Sequence, residues 1–158
     1  MSAPYRNIAC LVARDEAFES VIAEGTRLFL FGAERLDIVH VAPEPLWLTM
    51  GPYGPLPSPQ SLYREAQEWL RVKAAPIVGA RPIILSGHAP VAAREYAESA
   101  GVDLIVAAAH RGRVKRAMLG SFASAIAYSA PCPVLLVHPP PVEDDTPDVD
   151  ESPETAIV

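Results

Sequence analysis

Residues 110–121, HRGRVKRAMLGS, set Arg111, Arg113, Lys115 and Arg116 within six positions, between His110 and the pair Gly120–Ser121. Guanidinium groups bind phosphate through forked, charge-assisted hydrogen bonds. Glycines let backbone N–H groups come close to an anion, and a helix N-terminus adds partial positive charge beside it. The stretch therefore has two readings. It is a phosphate grip in which Gly112 supplies local freedom, or it is a solvated loop that keeps the protein soluble or pairs with acidic residues further along. Gly120–Ser121 divides in the same way, between an anion site and the turn and N-cap that start the next helix.

The remaining candidates for chemistry are sparse. His40 and His138 sit in or beside strand-like runs and read as packed or rim histidines, while His88 and His110 fall where strands exit into loops. No Ser-His-Asp arrangement or metal-ligand spacing accompanies them, which argues against a hydrolase or a metalloenzyme. Cys10 and Cys132 lie in apolar runs without CxxC or Cys/His spacing and read as buried, reduced thiols. Trp47, Tyr53 and Trp69 read as anchors of a proline-rich segment and of the helix after it.

Charge is distributed unevenly. The net charge is −6, yet residues 139–158 hold seven of the 19 acids and no Lys or Arg. The body is nearly neutral, so it offers no broad basic face for nucleic acid or an anionic membrane. The tail, low in hydrophobicity and opening on three prolines, is expected to be disordered. The N-terminus MSAPYRNIACLVARD lacks the regions of a secretory signal, and no stretch approaches 18 uninterrupted apolar residues. The expected location is the cytoplasm.

One domain over residues 1–138 must position these groups. Short apolar runs at 8–13, 36–43, 81–86, 102–109 and 133–137 read as strands buried on both faces. Between them, Phe18, Val21, Ile22, Gly25, Leu28 and Phe29 keep helical spacing and end near Gly32. Ser58 followed by Pro59 starts a second helix that runs to Pro76, Pro90 opens a third that Gly101 closes, and 121–129 form a short fourth. Six prolines from 43 to 59 predict a long structured loop or flap. Strands alternating with helices give a parallel sheet with helices on both faces, whose ligand site lies beyond the carboxyl ends of the strands where strand order reverses.

Three segments read together, IACLVARDEAFES, LDIVHVAPEP and SGHAPVAAREYAESAGVDLIVAAAHRG with LGSFASAIAYSAPCPVLLV, resemble the universal stress protein family over roughly residues 5–138. The resemblance implies an α/β three-layer sandwich whose five-stranded parallel sheet has the order 3-2-1-4-5. The crevice is then walled by residues 13–20 and 107–121. Nucleotide-binding members use an acid after the first strand for the ribose, a Val in the second strand near adenine, and a Gly-x2-Gly-x9-Gly-Ser/Thr loop around the phosphates. Val41, Gly120 and Ser121 match. A gap-free match puts Ala13 at the acid position, with Asp15 two residues on. The opening glycines fall on Ala107 and His110, or on Ala108 and Arg111 with the loop one residue short, so the motif is degenerate in either register. The resemblance thus implies a non-enzymatic stress-response module, with an ATP-binding switch or slow ATPase using the Arg-rich loop and Gly120–Ser121 as the alternative. No cofactor is assured, and ATP or another phosphate-containing ligand is what the loop could take. The resemblance also puts the last strand at a sheet edge, and its uncharged run PVLLV predicts a homodimer through antiparallel pairing of residues 133–137.

Overall fold

Strand β1 (Asn7–Leu11) runs through the centre of the molecule and buries side chains on both faces, as the apolar residues after Asn7 require. A computed structural model of the chain describes residues 4–42, 50–51, 54–55, 58–109 and 120–139. Four further strands complete the sheet: β2 (Arg35–Ala42), β3 (Ala80–Ser86), β4 (Leu104–Ala108) and β5 (Val134–Val137). All pair in parallel in the order β3-β2-β1-β4-β5, so the order reverses between β1 and β4. This is the expected 3-2-1-4-5 sheet.

The helices are α1 (Phe18–Leu30), α2 (Pro59–Ala74), α3 (Ala89–Ala100) and α4 (Ser121–Ser129). On one face Ile8, Cys10, Leu36, Ile38 and Val106 pack with Val21 and Ile22 of α1 and Leu70 and Ala74 of α2. On the other face Ala9, Leu11, Val39, Ile105 and Ala107 pack with Ala93 and Ala97 of α3 and Ile126 of α4. Each fully buried Leu, Ile or Val contributes about 1.5–3 kcal/mol, so these two layers hold the sheet in place.

Local chemistry sets the helix ends. The Ser58 hydroxyl accepts from the Ser61 N–H at 3.1 Å while Pro59 occupies the first helical position. Gly101 closes α3 at φ 62°, a left-handed conformation that favours glycine. Within the proline-rich stretch, Met50–Gly51 and Gly54–Pro55 form an antiparallel pair two residues long. The rest of that stretch, with Trp47 and Tyr53, and the tail from residue 140 onward lie outside the described residues.

Asp103 sets the offset between the two central strands. Its carboxylate accepts the backbone N–H groups of Arg6 and Asn7, each at 2.9 Å, and its own N–H donates to the Asn7 carbonyl at 3.0 Å. The Asn7 amide in turn donates to the Gly101 carbonyl at 3.0 Å. Replacing Asp103 by alanine leaves two strand-entry N–H groups to solvent and should lower stability by about 1 kcal/mol, read as a lower urea midpoint at unchanged slope.

Candidate functional site

Beyond the carboxyl ends of β1, β2 and β4, the chain leaves a cavity of about 200 Å³ at the reversal of strand order. Its walls are mostly apolar: Leu11 and Val12 from β1 and its exit, Val39 and Val41 from β2, Ala108 from β4, and Phe18, Val21 and Phe122 from the helices. Ala13 and Asp15 lie at the rim, Ala17 lines the buried side of the same turn, and Ala89 closes the side at the start of α3. Among the described residues its polar side chains are Asp15 and His40.

Of the residues singled out in the sequence, Ala13, Asp15 and Val41 come together here. The Asp15 carboxylate folds back to accept the Ala17 N–H at 3.0 Å, which steadies the turn into α1. Ala107 lies inside β4, fully buried on the α3 and α4 face, and does not line the cavity, whereas its neighbour Ala108 does. Successive strand side chains face opposite ways, and that one-residue step decides which alanine meets the crevice. Gly120 is the N-cap of α4 and Ser121 its first residue, so the helix start adjoins the cavity wall at Phe122. His110, Arg111 and Gly112, with Arg113, Lys115 and Arg116, lie outside the described residues.

Phe18 falls within the wall expected at 13–20, whereas Phe122 and His40 were not legible as site residues, because an aromatic at helical spacing and a histidine in an apolar strand look the same in a core. His40 is 7% exposed, and its Nδ1 lies 2.8 Å from the Val12 carbonyl oxygen. Its ring meets Trp69 of α2 edge-on at 5.0 Å, and Trp69 meets Phe18 at 5.6 Å. The Arg14 guanidinium covers Trp69 at 5.1 Å and pairs with Glu65 at 2.7 Å. Trp69 thus anchors α2 beside the crevice, as expected.

Burial holds the His40 pKa below its ordinary value of 6.5, and Arg14 adds to this, against the Val12 hydrogen bond and Asp15, which raise it. The ring is neutral at pH 7. Between its lowered folded pKa and 6.5 the unfolded chain binds more protons, so stability falls as the pH drops through that window. His40→Phe should remove this component, and melting curves of both proteins at stepped pH should converge on acidification. Parallel curves would refute the assignment.

These features define the class of doubly wound α/β proteins with a crevice at the topological switch point. A family model of the universal stress protein family matches residues 4–138, and the chain belongs to that family. The fold is shared with universal stress protein UspA from Lactobacillus plantarum at 20% identity and a TM-score of 0.64, covering 86% of this chain and 99% of that one. The hypothetical protein MJ0577 matches at 22% identity and a TM-score of 0.67, over 85% and 96% of the two chains. A universal stress protein in complex with cAMP matches at 22% identity and a TM-score of 0.55, over 85% and 98%. No curated protein matches.

Cys132 is only half-buried, where the sequence suggested a buried thiol, unlike Cys10, which is enclosed. Burial raises the thiol pKa at both positions. No helix among the described residues is long and apolar enough to cross a membrane.

Proposed function

We propose that this protein is a regulatory binding module that takes the ring of an adenine-nucleotide-like ligand into the crevice, holds its phosphates loosely, and performs no catalysis. The observation that carries the reading is the apolar cavity of about 200 Å³ at the switch point, with Asp15 on its rim and Val41 in its wall. Drug-sized ligands fill about 300–1,000 Å³, so this cavity suits a ring system with its charged substituents left outside. A related fold bound to cAMP supports the choice of ligand class. Helix α4 offers an exposed anion about 0.3–1 kcal/mol and a partly buried one up to about 2 kcal/mol, far less than a full cradle of backbone amides. Arg111 is the side chain proposed to add to it.

Titration calorimetry with ATP, GTP and pyrophosphate tests this reading. Weak binding is expected, falling with salt, with a further loss in Arg111→Ala. Submicromolar ATP affinity with slow phosphate release would instead establish an ATP switch.

The same reading includes a two-fold dimer through β5. Ile105 and Ala109 N–H groups donate to the carbonyls of Pro133 and Val137, so these residues and Leu135 face β4. Val134 and Leu136 therefore turn their backbone groups to the open edge. A two-fold axis at Leu135 brings Val134 of one copy opposite Leu136 of the other. Leu136→Pro removes the outward N–H without touching the ladder to β4 and should give monomers by light scattering. Wild type running as a monomer at high micromolar concentration would rule the dimer out.

A further inference from the structure

The cavity contains one side chain whose hydrogen-bonding state is settled by its surroundings. A carbonyl oxygen only accepts, so the contact between His40 Nδ1 and the Val12 carbonyl fixes the proton on Nδ1. In the neutral ring Nε2 is then a bare acceptor. Among the described residues no donor reaches it, although the ring itself is nearly enclosed and forms part of the cavity wall. The ring cannot easily turn away. Val12 holds one edge, and Trp69, itself packed on Phe18 and covered by Arg14, holds the ring from the α2 side.

The rest of the wall supplies little competition. Asp15, the other polar side chain of the cavity, already accepts the Ala17 N–H at the rim. A ligand ring that fills the apolar space therefore leaves the Nε2 lone pair unpaired unless it brings a donor of its own, and an unpaired buried acceptor opposes binding.

We propose that His40 is the specificity-determining residue of the crevice: its Nε2 accepts a hydrogen bond from the ligand, which selects heteroaromatic rings carrying an N–H donor on their buried edge. This rests on the crevice taking a ring-bearing ligand, as argued under the proposed function. The neutral state that the selection needs is the one burial enforces. The charged groups facing His40 are Arg14 and Asp15 from the turn after β1, with Glu65 of α2 reaching Arg14, while α1 presents Phe18 and α2 presents Trp69.

The test compares adenosine, which has an exocyclic amine, with purine riboside, which lacks it, and with N6,N6-dimethyladenosine, which has lost both N–H donors. Wild type should bind adenosine about tenfold more tightly than either, the factor expected of one net hydrogen bond. His40→Asn keeps an amide donor for the Val12 carbonyl, and its own oxygen, on a shorter side chain, falls short of the Nε2 position, so it should bind all three alike. A second measurement needs no variant: the nitrogen chemical shift of His40 Nε2 should move with adenosine and stay with purine riboside. Equal binding of the three by wild type, a preference that survives in His40→Asn, or an unmoved Nε2 signal overturns the role of His40 while leaving the ring-binding crevice intact. Failure of wild type to bind any of the three removes the crevice reading itself, and the role of His40 with it.

Discussion

Asp37→Ala should lower the unfolding free energy by about 3–5 kcal/mol, the cost of removing one partner from a buried charge network. Asp37 is fully buried on the α3 face of β2. Its Oδ2 accepts the Tyr96 hydroxyl at 2.8 Å and lies 2.9 Å from Arg35 Nε, and its Oδ1 lies 3.3 Å from Arg81 Nε. Arg35 also donates to the Ala100 carbonyl at 2.6 Å, so the carboxylate joins two strands to the last turn of α3. Alanine would leave the Arg35 guanidinium, 22% exposed, without its counter-charge. Asp37→Asn keeps an oxygen for Tyr96 and should cost less, and Tyr96→Phe should cost about 1 kcal/mol. Urea unfolding should rank the three in that order. An Asp37→Ala protein within about 1 kcal/mol of wild type would show that the network contributes little to stability.

The network also predicts alkaline behaviour. Burial, and then the bond to Asp37, push the Tyr96 pKa from 10.0 up to about 12. A raised folded pKa means that stability present below pH 10 is lost as the pH rises towards 12. Tyr96→Phe should lack that loss.

Parallel strands buried on both faces appear in a sequence as plain apolar runs, which is why every sheet strand was legible to within about two residues. Ser58–Pro59 and Gly101 marked helix ends because each answers a local requirement of the backbone. Strand order is not local. Periodicity leaves open which strands neighbour β1, and the order came from the family resemblance. Asp37 was invisible for a related reason: in LDIVHVA it reads as one polar residue in a strand, while Arg81 and Tyr96, which make it tolerable, lie on another strand and a helix. At the site, Ala13, Asp15 and Val41 were found through motif positions and Phe18 within the expected wall 13–20, whereas Phe122 and His40 line the cavity through side-chain direction, which sequence spacing near a turn does not fix.

The other large effect falls where α1 lies closest to the sheet. A Cβ at Gly25 would sit 2.1 Å from Cys10 Sγ, a short side chain rooted in the central strand with little room to retreat. Alanine in a helix is normally favoured over glycine by about 1 kcal/mol. Overpacking costs about 1–3 kcal/mol, and a contact this short belongs at the upper end, so Gly25→Ala should lose about 2 kcal/mol net. The thiol is inert as well as obstructive. Burial, then the charge of Asp37, push its pKa up to about 12, so it stays protonated. Cys10→Ala opens the space that the new methyl needs, and the double variant should be more stable than Gly25→Ala alone, a non-additivity that assigns the loss to this one contact. The consequence reaches the crevice, because α1 carries Phe18 and Val21 into its wall. A helix lifted to relieve the clash moves that wall, so Gly25→Ala should also weaken adenosine binding, and Cys10→Ala should restore it in the double variant. Wild-type stability in Gly25→Ala, or no rescue in the double variant, would mean that helix and strand can part at this point without cost.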